Sequence, residues 1–155
     1  MAQFVSNPIT VTLPAPTEGY QRADLAFHGV DHSKASFEGR IFFNNPDATP
    51  TTPKDQEHGY AGSFWIFGHG GCAGDEGHCD VPEDLRPFDF RPEHQLTTIS
   101  VDVIVTEALK TIVKPGEAFS VSVVPWVRPE HADVLPETLV TDILHIDRVD
   151  LLTYQ

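Results

Sequence analysis

The segment His69-Gly70-Gly71-Cys72-Ala73-Gly74-Asp75-Glu76-Gly77-His78-Cys79-Asp80 places two imidazoles and two thiols within eleven residues. Thiolate and imidazole are the ligands that borderline and soft cations such as Zn²⁺ and Cu⁺ favour. The interspersed glycines allow the backbone to wrap closely around an ion. His69, Cys72, His78 and Cys79 are therefore candidate metal ligands, for copper or zinc. The spacing is not that of a zinc finger, because adjacent His78 and Cys79 would tend to point apart. A Cys72–Cys79 disulfide fits the same residues. It would close an eight-residue loop, worth about 2.5 kcal/mol on a chain-entropy argument. Disulfide, metal site and free thiols all remain open at the level of the sequence.

Other candidates carry less. His28-Gly29-Val30-Asp31-His32 has the spacing of a helical metal pair and forms a second candidate cluster, but it follows a strand pattern and holds turn residues. Structural or solvated histidines are the expectation there. His58, His94 and His131 fall in polar stretches and are expected at the surface, whereas His145 falls in the last strand pattern. Gly68-His69-Gly70-Gly71-Cys72 resembles a nucleophile turn only superficially, since a reactive thiol needs a base and a lowered pKa. The acids Asp75, Glu76, Asp80, Glu83 and Asp84 lack the order of an EF-hand loop and read as a solvated run. No phosphate-binding loop or dinucleotide fingerprint is present. Phe88 and Phe90 are expected to anchor an extended segment over a sheet.

The elements that must position these groups are strands. Ile9–Leu13, Arg22–His28, Phe37–Phe43, Tyr60–Phe67, Thr97–Thr106, Phe119–Val124 and Ile143–Tyr154 show period-2 apolar patterning or aromatic-rich runs bounded by Pro, Gly and Asn. Thr106–Val113 is the one helix expected, with Thr106 as its cap and Pro115-Gly116 closing it. Seven strands and one short helix predict an all-β, antiparallel β-sandwich. Two long loops interrupt it, residues 44–59 and residues 68–95, the second holding both cysteines. A structureless loop of that length is uncommon unless functional or disordered.

Length and charge narrow the partners. The chain has 155 residues, 40% of them hydrophobic, enough for one core. Residues 1–155 therefore read as a single domain, with residues 1–7 expected to form a flexible tail. Ten Lys and Arg against 23 Asp and Glu give a formal charge of −13. That balance argues against nucleic acid as a partner and against adsorption to anionic lipid. No apolar run approaches the length of a membrane span. The first residues lack the basic-then-apolar order of a secretory signal, and two cysteines leave the compartment open.

Several segments together resemble the C-terminal β-sandwich that follows the catalytic domain in some bacterial tyrosinase-like proteins. They are residues 22–32 (RADLAFHGVDH), 36–46 (SFEGRIFFNNP), 60–72 (YAGSFWIFGHGGC), 77–82 (GHCDVP) and 147–154 (DRVDLLTY). The resemblance spans most of residues 20–154 and implies a domain associated with type-3 copper oxidases, which act on phenols. In that wider family such domains cover the dicopper site or help to load copper. By residue type, His69, Cys72, His78 and Cys79 match a copper-passing role. The departure is that a dicopper oxidase needs six histidines on a helical bundle, and no such pattern is present in this chain. The expectation is thus a non-catalytic accessory domain whose partner is a tyrosinase-like catalytic domain or a second copy of itself. The alternatives are an independent metal-binding protein that uses the Cys/His loop, or a small metalloenzyme.

Overall fold

The computed structural model describes residues 7–70, 84, 86–90 and 97–155. Within them lie seven strands: β1 (Ile9–Pro14), β2 (Arg22–Val30), β3 (Phe37–Phe43), β4 (Tyr60–Ile66), β5 (Ile99–Ile104), β6 (Ala118–Trp126) and β7 (Arg148–Tyr154). They form two antiparallel sheets, a four-stranded one in the order β1-β6-β3-β4 and a three-stranded one in the order β5-β2-β7. This is the sandwich the patterning predicts. The expected tail falls, except for Asn7, outside the described residues.

Alternation explains the layers. Phe37, Gly39, Ile41 and Phe43 of β3 turn inward, as do Phe119, Val121 and Val123 of β6. They meet Leu25 and Phe27 of β2, which turn inward from the other sheet. The Phe64 ring lies 4.9 Å from that of Phe27, bridging the sheets. Gly39 makes room for it, since a Cβ there would come within 2.4 Å of the Phe64 ring. A second, smaller apolar cluster of Phe42, Val124, Ala48 and Tyr60 lies apart from this core, where the 44–59 loop meets the four-stranded sheet.

The helical part departs from expectation. Helix α1 (Thr106–Ile112) forms as predicted and buries Leu109. Thr106 does not cap it, however: Val105 occupies that position, and the Thr106 hydroxyl instead accepts from the Ala23 amide at 3.0 Å. Helix and β2 are thereby tied together by a side chain whose type suggested a cap. Two four-residue helices, α2 (Pro129–Ala132) and α3 (Glu137–Val140), occupy a stretch with no expected element. They are too short to show helical periodicity. Strand β7 starts at Arg148, so residues 143–147 precede it, and His145 is not a strand residue. Phe88 and Phe90 are 90% and 92% exposed, so they do not anchor a loop. No helix among the described residues is long and apolar enough to cross a membrane.

Candidate functional site

Cys72, His78 and Cys79 lie outside the described residues, so only His69 of the predicted Cys/His set can be placed. His94 also lies outside them. His69 does not stand alone. Its Nδ1 is 3.1 Å from Nδ1 of His32, with the two rings edge to face. The structure thus joins one residue from each of the two candidate clusters, which are 37 positions apart in sequence.

The backbone explains why they meet. Strand β2 departs from its ladder between Phe27 and Val30, where Gly29 takes φ +70°. A Cβ at Gly29 would strike the Asp147 side chain, so glycine is required for that approach. Beyond the irregularity the chain turns at Asp31, whose carboxylate accepts from the Ser33 amide at 2.9 Å. Burial pushes the Asp31 carboxyl up. The hydrogen bonds from Ser33 and the nearby His145 and Lys34 charges outweigh that and hold it below the usual carboxylate range.

Residues 32–36 then run between two neighbours. On one side the Ala35 amide donates to Leu139 O of α3 at 3.0 Å, and Lys34 Nζ donates to the carbonyls of Thr141 and Asp142. On the other side lies the chain leaving β4. There the Gly68 amide donates to Ser36 Oγ, the His69 amide to His32 O and the Gly70 amide to Lys34 O, at 3.0, 2.8 and 2.9 Å. A Cβ at Gly68 would lie 2.0 Å from Lys34 O, so this close approach also demands glycine.

His32 is further oriented by its second ring nitrogen, Nε2, which is hydrogen-bonded to the Thr97 carbonyl. A carbonyl oxygen only accepts, so Nε2 carries the proton and Nδ1 of the neutral ring holds a lone pair facing His69. The Phe67 ring flanks His69 edge-on, with centroids 5.6 Å apart. Phe67 and Trp65 are exposed and border a groove lined also by Ser36, Ile66, Arg128 and His131.

The other predicted histidines have separate partners. His28 faces Asp150 at 3.1 Å and does not pair with His32. His58 lies beside Asp55 in a 3-10 turn, and His145 lies beside Asp142. Among the described residues, no three His, Cys, Asp or Glu side chains converge on one point. A six-histidine dicopper centre therefore does not fit the six described histidines, which are distributed over the fold rather than facing one another from long helices.

One polar cluster had no counterpart in the sequence reading. Glu38 is 2% exposed, yet it is ionically satisfied: Arg40 Nε, Lys54 Nζ and Ser63 Oγ reach its oxygens at 2.9, 2.9 and 2.7 Å. Burial pushes its carboxyl up, but these three hydrogen bonds and the Arg40 charge prevail and hold it below the usual range. Arg40 also donates to Pro50 O at 2.8 Å and lies over the Trp126 ring. The alternation of β3 was the available signal. It places Glu38 opposite the inward Phe37, but gives no hint that the 44–59 loop covers that face.

No protein-family model matches this chain, and no curated protein matches its sequence. Solved structures do. The chain is similar in fold to a recombinantly expressed latent aurone synthase (polyphenol oxidase), with a TM-score of 0.54 and 16% identity, over 99% of this chain and 25% of that one. It is similar also to latent aurone synthase (polyphenol oxidase) from natural source, with a TM-score of 0.51 and 14% identity, over 94% of this chain and 24% of that one. The chain thus spans about a quarter of the length of these proteins. At this identity the likeness is one of fold, and it agrees with the resemblance to tyrosinase-like proteins seen in the sequence.

Proposed function

We propose that this chain is a non-catalytic accessory domain that acts on a tyrosinase-like catalytic domain, whether fused to it or separate from it. The observation that carries this reading is the fold match, which takes in 99% of this chain but only 25% of a latent polyphenol oxidase. A chain whose fold matches one quarter of a latent polyphenol oxidase, and whose described histidines do not assemble a dicopper centre, is suited to modify an active site built elsewhere. Shielding of the copper site is the role we favour. Exposed Phe67 and Trp65, with Arg128 stacked on Trp65 at 5.4 Å, supply an apolar surface of the kind that marks protein contacts.

The test uses the purified chain and a tyrosinase-like catalytic domain freed of its own C-terminal region. The chain alone, supplied with copper, should give no chelator-sensitive oxidation of a catechol. Added to the copper-loaded catalytic domain, it should co-elute in size exclusion and slow turnover. Faster activation of a copper-free catalytic domain would instead assign it to copper loading. Chelator-sensitive turnover by the chain alone would overturn the reading, as would the absence of both complex and effect.

A further inference from the structure

We propose that His32 and His69 form a two-imidazole chelate for one borderline first-row cation, with Zn²⁺ as its probe. The proposal rests on the geometry of the pair and is independent of any oxidase partner.

Three observations converge on it. First, the two Nδ1 atoms are 3.1 Å apart. Two imidazole nitrogens bound to a tetrahedral Zn²⁺ at ordinary bond lengths are about 3.3 Å apart, so the pair needs only a few tenths of an ångström to admit an ion. Second, the Nε2 proton of His32 is held by the Thr97 carbonyl, which leaves Nδ1 as the free base. A ligand imidazole that donates its other N–H to a backbone carbonyl is the usual outer-shell arrangement in metal sites. Third, the two chain segments are fixed to each other by the hydrogen bonds of Gly68, His69 and Gly70 to Ser36, His32 and Lys34. The rings are therefore held together by the backbone, and their own contact is not needed to join the strands.

Without an ion, His69 donates its Nδ1 proton to the His32 lone pair. With one, His69 carries its proton on Nε2 instead, and both Nδ1 lone pairs point to the cation. His69 is exposed and His32 half-buried, so solvent can reach the pair and water can complete the coordination. Imidazole ligands suit Zn²⁺ and copper better than Ca²⁺ or Mg²⁺.

The experiment is calorimetric titration of the chelator-treated full chain with Zn²⁺, beside nitrogen NMR of its histidine rings. The expected result is one tight equivalent, with the largest shifts at Nδ1 of His32 and His69. His32→Ala and His69→Ala should each weaken binding at least tenfold, and the double variant little more than either. The joint Cys72→Ser, Cys79→Ser variant should still bind at the histidine pair, and His58→Ala should leave binding unchanged. Equal losses in His58→Ala would mean scattered surface coordination and overturn the proposal. Loss of all binding in the cysteine variant, or shifts confined to other rings, would overturn it too. Circular dichroism of each variant confirms that a loss of binding is not a loss of fold.

Discussion

The segment entering β3 and the start of β3 carry two polar clusters of opposite character. Glu38 is buried and meets three donors, so each partner that reaches it is already committed. His32 and His69, five residues upstream of β3 and three beyond β4, face each other at the surface with their Nδ1 atoms directed toward one another. The first cluster fastens a loop, and its carboxylate is buried beneath that loop with three donors already on it. The second is placed by backbone hydrogen bonds and by the bond of His32 Nε2 to the Thr97 carbonyl, so the two facing Nδ1 atoms are not needed to hold the segments together. A polar cluster is available for chemistry when something else holds the fold in place around it.

The contrast breaks most sharply under deletion. Glu38→Ala leaves the guanidinium of Arg40, itself only 12% exposed, without its carboxylate. Removal of one partner from such a pair costs about 3 kcal/mol, and urea unfolding should show it. Gly68→Ala comes next. It forces a Cβ against the Lys34 carbonyl and should cost about 2 kcal/mol, while separating the two histidine rings. Loss of the His32–His69 contact by NMR, with the fold retained, would show that glycine rather than ring pairing holds this site.

Lys54→Ala should cost about 1 kcal/mol or less, because Lys54 is half exposed and its ion pair is screened. His32→Ala, which removes the hydrogen bond to the Thr97 carbonyl, should cost about 1 kcal/mol or less. A loss there as large as that of Glu38→Ala would erase the distinction between the two clusters.

Acid should separate them as well. In the folded protein the Glu38 carboxyl is held below its ordinary value of 4.5, so the unfolded chain takes up that proton more readily. Its stabilisation is therefore complete above that ordinary value and is lost as pH falls through the lower folded one. Glu38→Gln should be less stable than the parent at neutral pH, and the gap should close on acidification. A gap that stays constant in urea melts down to about pH 3 would count against a linked Glu38 proton.

The outline of the fold was open to reading from the sequence. Period-2 alternation in β1, β3 and β6 is dictated by strand geometry and needs no distant information, and the seven strands follow from it. The candidate residues were open to reading by type alone: His69 and His32 were named, but in different clusters. His28 and His32 share a local spacing, yet the irregularity at Gly29 and the turn at Asp31 send them to separate partners. The short helices α2 and α3 and the burial of Glu38 left no periodic trace.

What the sequence determined by itself is the element pattern, the acidic charge and the supply of imidazoles and thiols, because these are properties of residues and their near neighbours. What only the tertiary structure decided is which side chains meet. The His32–His69 contact depends on β4 returning beside the segment that enters β3, and on glycines at 29 and 68 that permit the approach. The Glu38 cluster depends on a loop folding back over the four-stranded sheet. Contacts of that kind arise from closure of chain segments far apart in sequence, and no local spacing encodes them.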